Sequence, residues 1–320
     1  MVFLPWHLTL AYGLDLLAGD PQWLPHPTRW IGRLITWVES VFYDDRASLN
    51  LQRLAGCAFW MSVVAGVLIG ATVVIEVSTH LNTFLGQAVI IWLAYTTLAT
   101  RSLHRESSRV VEALRQGNLA TARERLSMIV SRDTGQLGEK EILRAVIETV
   151  AENISDGIVA PLLYLAVGGP LAAIAYKTVN TMDSMVGYQN ERYRHFGWFA
   201  ARIDDLANWI PARLSGFILV AASAALRLDW RSAWQVMRRD ARKMKSPNAG
   251  FPEAAAAGAL GVQLGGTNSY FGRAVAKPTL GDGQAPMTLD TYRLMIRLLY
   301  AASFGAFMVA LGLRCLVVML

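Results

Sequence analysis

Residues 148–213 read ETVAENISDGIVAPLLYLAVGGPLAAIAYKTVNTMDSMVGYQNERYRHFGWFAARIDDLANWIPAR. An apolar run, 158–176, is interrupted at Gly168-Gly169-Pro170. Glu152-Asn153-Ile154-Ser155-Asp156-Gly157 precede it. Lys177, Asn180, Thr181, Asp183 and Ser184 follow it, then Arg202, Asp204, Asp205, Asn208 and Arg213. Charge in or beside a bilayer is costly and tends to mark function. Pro170 has no N–H for a helix interior, and paired glycines let a chain turn. A single crossing would separate the two polar motifs onto opposite faces. We therefore read a re-entrant or broken segment with both motifs facing the cytoplasm, since irregular backbone at membrane depth is tolerated where it lines a cavity.

The rest of the chain fits a membrane setting. It has 320 residues, 53% of them hydrophobic and 17% charged, with a mean hydropathy of +0.32. A soluble domain carries about 25% charged residues. Cys57 and Cys315 lie in apolar runs, and no CxxC or HExxH is present, which argues against a zinc site. The net charge of +6 is concentrated in loops between apolar segments. That is a topology signal rather than a nucleic-acid footprint.

Three stretches read as clear spans: 57–77, 84–99 and 298–320. Four shorter ones are ambiguous: 4–17, 158–176, 214–228 and 254–264. The turn 78–83 has no Lys or Arg, whereas Arg46 and Arg53 precede the first two spans and Arg101, Arg105 and Arg109 follow them. This places the turn outside and both flanks in the cytoplasm. Residues 101–147, nine of them Lys or Arg, read as a cytoplasmic insertion of about three helices within one membrane-embedded domain, 1–320. Glu148 and Glu152 share a face near the end of its last helix, against the macrodipole. Residues 227–245 hold seven Lys or Arg, as a cytoplasmic mark or an amphipathic helix on anionic lipid. The segment 19–32, with Pro21, Pro25 and Pro27, reads as an extended loop carrying Asp20, His26 and Arg29. Glu253 opens an Ala-rich helix that Gly265-Gly266 closes. The expected class is an all-α polytopic membrane protein; nothing suggests a barrel.

The polar set points to phosphoryl chemistry. Glu152, Asp156, Asp183, Asp204 and Asp205 are oxygen ligands suited to a hard cation such as Mg²⁺, which is usually held by one or two carboxylates plus substrate phosphates. Lys177, Arg192, Arg202 and Arg213 suit phosphates. Asn153, Asn180 and Asn208 suit an oxyanion or an amine. The competing reading is that these groups pair among themselves to stabilise a polar turn. No GxxxxGK[ST] loop is present, so any nucleotide site is not of the Walker kind.

Five motifs together carry a resemblance. They are Asp15…Gly19-Asp20-Pro21…Pro25-His26-Pro27…Arg29; Glu152-Asn153-x-Ser155-Asp156-Gly157; Tyr176-Lys177-x-x-Asn180-Thr181-x-Asp183-Ser184; Asp204-Asp205-x-x-Asn208-x-x-Pro211-Ala212-Arg213; and Ser246-Pro247-Asn248-Ala249-Gly250-x-Pro252-Glu253. In this order they resemble the signatures of the adenosylcobinamide-phosphate synthase (CobD/CbiB) family of cobalamin biosynthesis. The resemblance covers nearly the whole chain.

It implies a multi-pass enzyme of the inner (cytoplasmic) membrane with its site facing the cytoplasm. The activity it implies is a carbon–nitrogen ligase, joining adenosylcobyric acid to (R)-1-amino-2-propanol O-phosphate or the free aminopropanol, with ATP as co-substrate and Mg²⁺. Its implied partners are the corrinoid, the amino alcohol phosphate, the lipid bilayer and other late cobalamin-pathway membrane enzymes, and no nucleic acid. On this basis Glu152, Asp156, Asp183, Asp205 and Lys177 are the expected catalytic residues, with Glu152, Asp156, Asp183 and Asp204 as metal ligands. Asn153, Asn180, Asn208, Arg202, Arg213, Asp20, Arg29, Asn248 and Glu253 are expected to bind substrate or phosphate. A transporter is the alternative from another class, and a regulatory sensor of the related β-lactamase-regulation branch is a third.

Overall fold

The computed structural model describes residues 2–21, 25–270 and 272–320. In chain order the helices are α1 Pro5–Ala18, α2 Pro27–Phe42, α3 Leu49–Leu81, α4 Thr83–Tyr95, α5 Thr100–Arg115, α6 Leu119–Ser127, α7 Glu139–Ile154, α8 Ala160–Val186, α9 Tyr193–Phe196, α10 Trp198–Ala207, α11 Trp209–Ala225, α12 Trp230–Asp240 and α13 Gly250–Leu260. A hairpin of β1 Leu264–Tyr270 and β2 Arg273–Leu280 follows, then α14 Leu289–Met319. Among the described residues three helical stretches are long and apolar enough to cross a membrane: 49–81, 139–186 and 289–319. The number rises to five if α4 with α5, and α10 with α11, each form one bent span. The protein is an all-α polytopic membrane protein with one small β-hairpin.

Two compact units emerge. The first comprises 1–99, 160–208 and 308–320; the second comprises 100–159 and 209–307. In the first, Ile31, Ile35 and Val38 recur at helical spacing along α2. They pack with Phe59 and Val63 of α3, Leu93 of α4, and Ile174, Met182 and Val186 of α8. Small residues set the closest approaches. A Cβ on Gly56 of α3 would lie 2.0 Å from the carbonyl oxygen of Phe196. Asn82 ends α3 and caps α4, accepting from the amides of Phe84 at 2.8 Å and Leu85 at 3.3 Å.

The apolar run at the centre is folded back on itself. Gly169 breaks α8 with φ 66° and ψ −159°, a region open essentially to glycine alone. The rings of Tyr164 and Tyr176 then stack, with centroids 4.8 Å apart. Twelve residues of straight helix would set them about 18 Å apart on different faces. Both hydroxyls reach the same place, Tyr164 donating to the Ala207 carbonyl at 3.0 Å and Tyr176 to Asn208 Oδ1 at 2.8 Å. The expected break is present, and α8 is a helical hairpin of arms 160–168 and 170–186.

In the second unit, α5 and α14 are joined by Thr100–Ser303 at 3.0 Å, His104–Tyr300 at 2.9 Å and Ser107–Tyr292 at 3.0 Å. Helix α13 is buried all round, and its Gly258 lies against the backbone of Ser232 and Ala233 at the start of α12.

Several expectations need correction. The loop 19–32 ends at Pro27, which is the first residue of α2, so Arg29 lies in a helical first turn. Proline suits that position because its missing N–H would be unpaired there anyway. Residues 22–24 of that loop lie outside the described residues. Glu152 is not at a helix end. After Ile154 the chain continues through a π-helical turn, Ser155–Val159, into α8, which removes the conflict with the macrodipole. The stretch 254–264 is no span, since α13 has 11 residues, about 16 Å, and Gly261 ends it in the left-handed conformation. The hairpin 264–280 was missed because its glycines and Pro278 mask any strand alternation. The spans 57–77 and 298–320 extend to 49–81 and 289–319.

Candidate functional site

Nine of the expected residues lie in the first unit: Asp20, Arg29, Lys177, Asn180, Asp183, Arg202, Asp204, Asp205 and Asn208. Six lie in the second: Glu152, Asn153, Asp156, Arg213, Asn248 and Glu253. Each set is built by its own elements.

In the first unit the second arm of α8 presents Tyr176 and Asn180 one turn apart, facing α10. Asn180 Nδ2 donates to Asp204 Oδ1 at 3.4 Å, and Asn208 Nδ2 donates to Asp204 Oδ2 at 3.0 Å. Tyr176 completes the chain by donating to Asn208. Asp204 and Asn208 sit four apart on α10 and its C-cap, which puts both on one face. Asn208 is 1% exposed. A buried carboxylate that accepts two carboxamide donors is fixed in orientation. Asp205, the next residue, turns aside to pair with exposed Arg202 at 3.9 Å. The adjacent aspartates therefore have different surroundings. Asp183 folds over Gly187, where an added Cβ would fall 2.0 Å from Oδ1. Burial, and then the Asp183 carboxylate, push the Tyr188 phenol above its usual range. Asp20 meets His26 Nε2 at 3.0 Å. Arg29 lines a shallow groove with Met185 at the end of α8.

In the second unit Glu148 anchors the β-hairpin. Its Oε1 accepts from the Gly265 amide at 2.7 Å, its Oε2 accepts from Arg132 Nη2, and Arg144 Nε lies 3.8 Å away. Arg144 also donates to the Gly265 carbonyl at 2.6 Å, and Arg132 to Asn268 Oδ1 at 2.8 Å. One turn further, Glu152 keeps exposed surface. Glu253, at the start of α13, is buried. Burial first, then the carboxylates of Glu152 and Glu148, hold its carboxyl well above the usual range, while Lys277 and Arg132 oppose that shift. Burial depresses the Lys277 ammonium, but the Tyr270 hydroxyl and the carboxylates of Glu253 and Glu152 outweigh this and leave it raised. The hairpin thus supplies a cation to an otherwise acidic pair.

Arg213 lies between the rings of Trp209 at 4.1 Å and Phe251 at 4.5 Å and donates to Asn248 Oδ1 at 3.4 Å. Asn153 turns its amide back onto the Thr149 carbonyl at 2.9 Å. Asp156 lies in the π-turn, a distortion common at functional sites. Within that turn Ser155 is buried and its hydroxyl has no partner among the described residues.

Among the described residues no group of three or more His, Cys, Asp or Glu side chains is placed to hold a metal ion. A cage made by the chain alone does not fit; Asp204 already has its two carboxamide donors. The residues that sequence reading passed over are Tyr164, Glu148, Arg132, Arg144, Asn268 and Lys277. Only Glu148 carried a signal, its spacing to Glu152.

Residues 8–299 match the family model described as "CobD/Cbib protein". The chain is 52% identical over 292 residues to the cobalamin biosynthesis protein CobD of Geobacter metallireducens, covering 90% of each chain. It is 46% identical to CobD of Listeria monocytogenes serotype 4b, covering 94% of this chain and 95% of that one. It is also 46% identical to the cobalamin biosynthesis protein CbiB of Salmonella arizonae, covering 98% of each. No solved structure matches it. A family model spanning most of the chain, and relatives aligned nearly end to end, mean that this chain belongs to the CobD/CbiB family.

Proposed function

We propose that this protein is a cobalamin-biosynthetic enzyme of the cytoplasmic membrane. In this reading it joins the carboxyl of adenosylcobyric acid to (R)-1-amino-2-propanol O-phosphate, or to the free amino alcohol, to give adenosylcobinamide phosphate or adenosylcobinamide. What supports it most is the buried Glu253 carboxyl beside Glu152 and Lys277. Of two adjacent carboxyl groups the ionised one can take the proton that a reacting ammonium must lose before its nitrogen attacks.

The reaction runs in two displacements. A corrin carboxylate oxygen attacks the terminal phosphorus of ATP. The bond to the nucleoside diphosphate breaks and an acyl phosphate forms. The amine, having lost its proton to a carboxylate, attacks the acyl carbon, and inorganic phosphate leaves. Lys177, Arg202 and Arg213 hold phosphate oxygens and offset the charge of the transferring group. Asn153, Asn180, Asn208 and Asn248 orient substrate groups, while Asp20 acts from the loop before α2 and Arg29 from the first turn of α2. Asp156, Asp183, Asp205 and Glu152 serve as bases or as the one or two carboxylates that accompany a nucleotide-bound Mg²⁺. No step depends on a metal held by the chain alone.

Purified protein in detergent, given ATP, Mg²⁺, adenosylcobyric acid and the amino alcohol phosphate, tests this by mass spectrometry of the corrinoid and by assay of ADP against AMP. Asp183→Ala and Lys177→Ala are expected to abolish amide formation while the protein remains inserted and folded. No product from the wild type, or full turnover by both variants, defeats the reading.

A further inference from the structure

At the tip of the α8 hairpin the first unit has a half-open cavity of about 340 Å³, within the range of small-ligand sites. Ile75, Val167 and Leu171 form the apolar part of a mixed wall, and two charged groups line it, Glu76 of α3 and Arg314 of α14. Arg314 is 6% exposed. It donates from Nε to the Phe3 carbonyl at 2.7 Å, from Nη2 to the same oxygen, and from Nη1 to the Ala166 carbonyl at 3.2 Å. A guanidinium has five N–H groups, so one on each Nη remains. Glu76 makes no ion pair or side-chain hydrogen bond among the described residues. A cation and a carboxylate thus share one wall without closing on each other.

Their depth is informative. Glu76 lies five residues before the end of α3 and Arg314 five before the end of α14, about 7 Å inside the helix ends. Headgroups meet acyl chains at roughly that depth. The neighbouring turn at Asn82 has no Lys or Arg on either side, the pattern of the non-cytoplasmic face.

We propose that this cavity binds the headgroup of an amine-bearing phospholipid. The phosphate takes the two remaining Arg314 N–H groups, the ammonium meets the Glu76 carboxylate, and the acyl chains leave along Ile75, Val167 and Leu171. An anionic headgroup without an amine satisfies Arg314 but repels Glu76. A choline headgroup brings a cation with no N–H to donate. A water-soluble amino alcohol phosphate carries the same two charges but has nothing to cover the apolar part of the wall.

Native mass spectrometry of the full-length protein, equilibrated in detergent with equal amounts of ethanolamine, choline and glycerol phospholipids, tests this without any activity assay. The ethanolamine lipid is expected to be retained about fivefold over the others, the effect of one charge-assisted contact. Glu76→Gln should bring retention down to the choline level with an unchanged melting temperature, because Glu76 is exposed and holds nothing in the fold. Equal retention of the three lipids, an undiminished preference in Glu76→Gln, or displacement of the lipid by millimolar free phosphoethanolamine would each overturn the assignment.

Discussion

Arg314 donates from Nη1 to the carbonyl of Ala166 at 3.2 Å. Residue 170, four positions on, would serve that carbonyl in an unbroken helix, but it is a proline with no N–H to give. A side chain from the last turns of α14 therefore supplies what the break in α8 removes, and it also binds the Phe3 carbonyl. Arg314→Ala should leave both carbonyls buried and unpaired, a loss of about 3 kcal/mol. Thermal unfolding in detergent checks this; an unchanged melting temperature would show that the break holds itself.

Gly169 is the pivot of the hairpin. An alanine there would need φ 66°, and its Cβ would lie 3.2 Å from Phe3 Cβ. Gly169→Ala is expected to cost about 1–3 kcal/mol from the backbone alone. A disulfide cross-link or fluorescence pair across the two arms should report them splayed. Wild-type stability together with wild-type arm separation would rule the pivot out.

Tyr176, Asn208, Asp204 and Asn180 form one hydrogen-bonded chain. Tyr176→Phe removes one bond at its end and should cost about 1 kcal/mol. Asn208→Ala strips Asp204 of its nearer donor. Turnover should then fall by about tenfold or more, with a smaller change in the KM for the amino alcohol phosphate. Equal losses of stability and of turnover in both variants would point to packing rather than positioning.

Glu148 is the sole carboxylate shown bonding Arg132 and Arg144 among the described residues. Glu148→Ala is expected to cost about 3–5 kcal/mol, because two cations lose their partner and the Gly265 amide loses its acceptor. Hydrogen exchange should show the 264–280 hairpin opening first. Protection in the hairpin equal to wild type would contradict the anchoring role.

Glu253 gives the second unit a pH dependence of definite sign. Its folded carboxyl titrates well above its ordinary value, chiefly through burial. The group thus favours the folded state at acid pH. That contribution is fully present below the unfolded carboxyl value of about 4.3 and is lost as pH rises through the folded one. Glu253→Gln keeps the shape but cannot ionise. Denaturation midpoints of the variant should fall less between pH 5 and pH 8 than those of the wild type; parallel curves would mean that Glu253 is already ionised in the fold.

The sequence by itself determined the membrane character, the two spans that become 49–81 and 289–319, the break at Gly168-Gly169-Pro170 and many of the polar residues now found in structured clusters; the span read at 84–99 is instead the 13-residue α4, which reaches membrane length only as a bent pair with α5. Those readings rest on local properties: hydropathy over a helix length, the missing N–H of proline, and motifs of a few residues. Hydropathy is a sum over neighbours in the chain, so it survives without any knowledge of the fold. What only the tertiary structure decided was which groups meet. Asp204 and Asp205 are indistinguishable in sequence, yet helical phase buries one against Asn180 and Asn208 and turns the other toward Arg202. Lys277 carries no signal that ties it to Glu152 and Glu253, since the β-hairpin that delivers it is held by Glu148, Arg132 and Arg144 from distant parts of the chain. Pairings of this kind depend on backbone direction and burial, which composition and spacing do not encode. They decide whether a charge is a solvated ion, a fixed acceptor or a proton carrier.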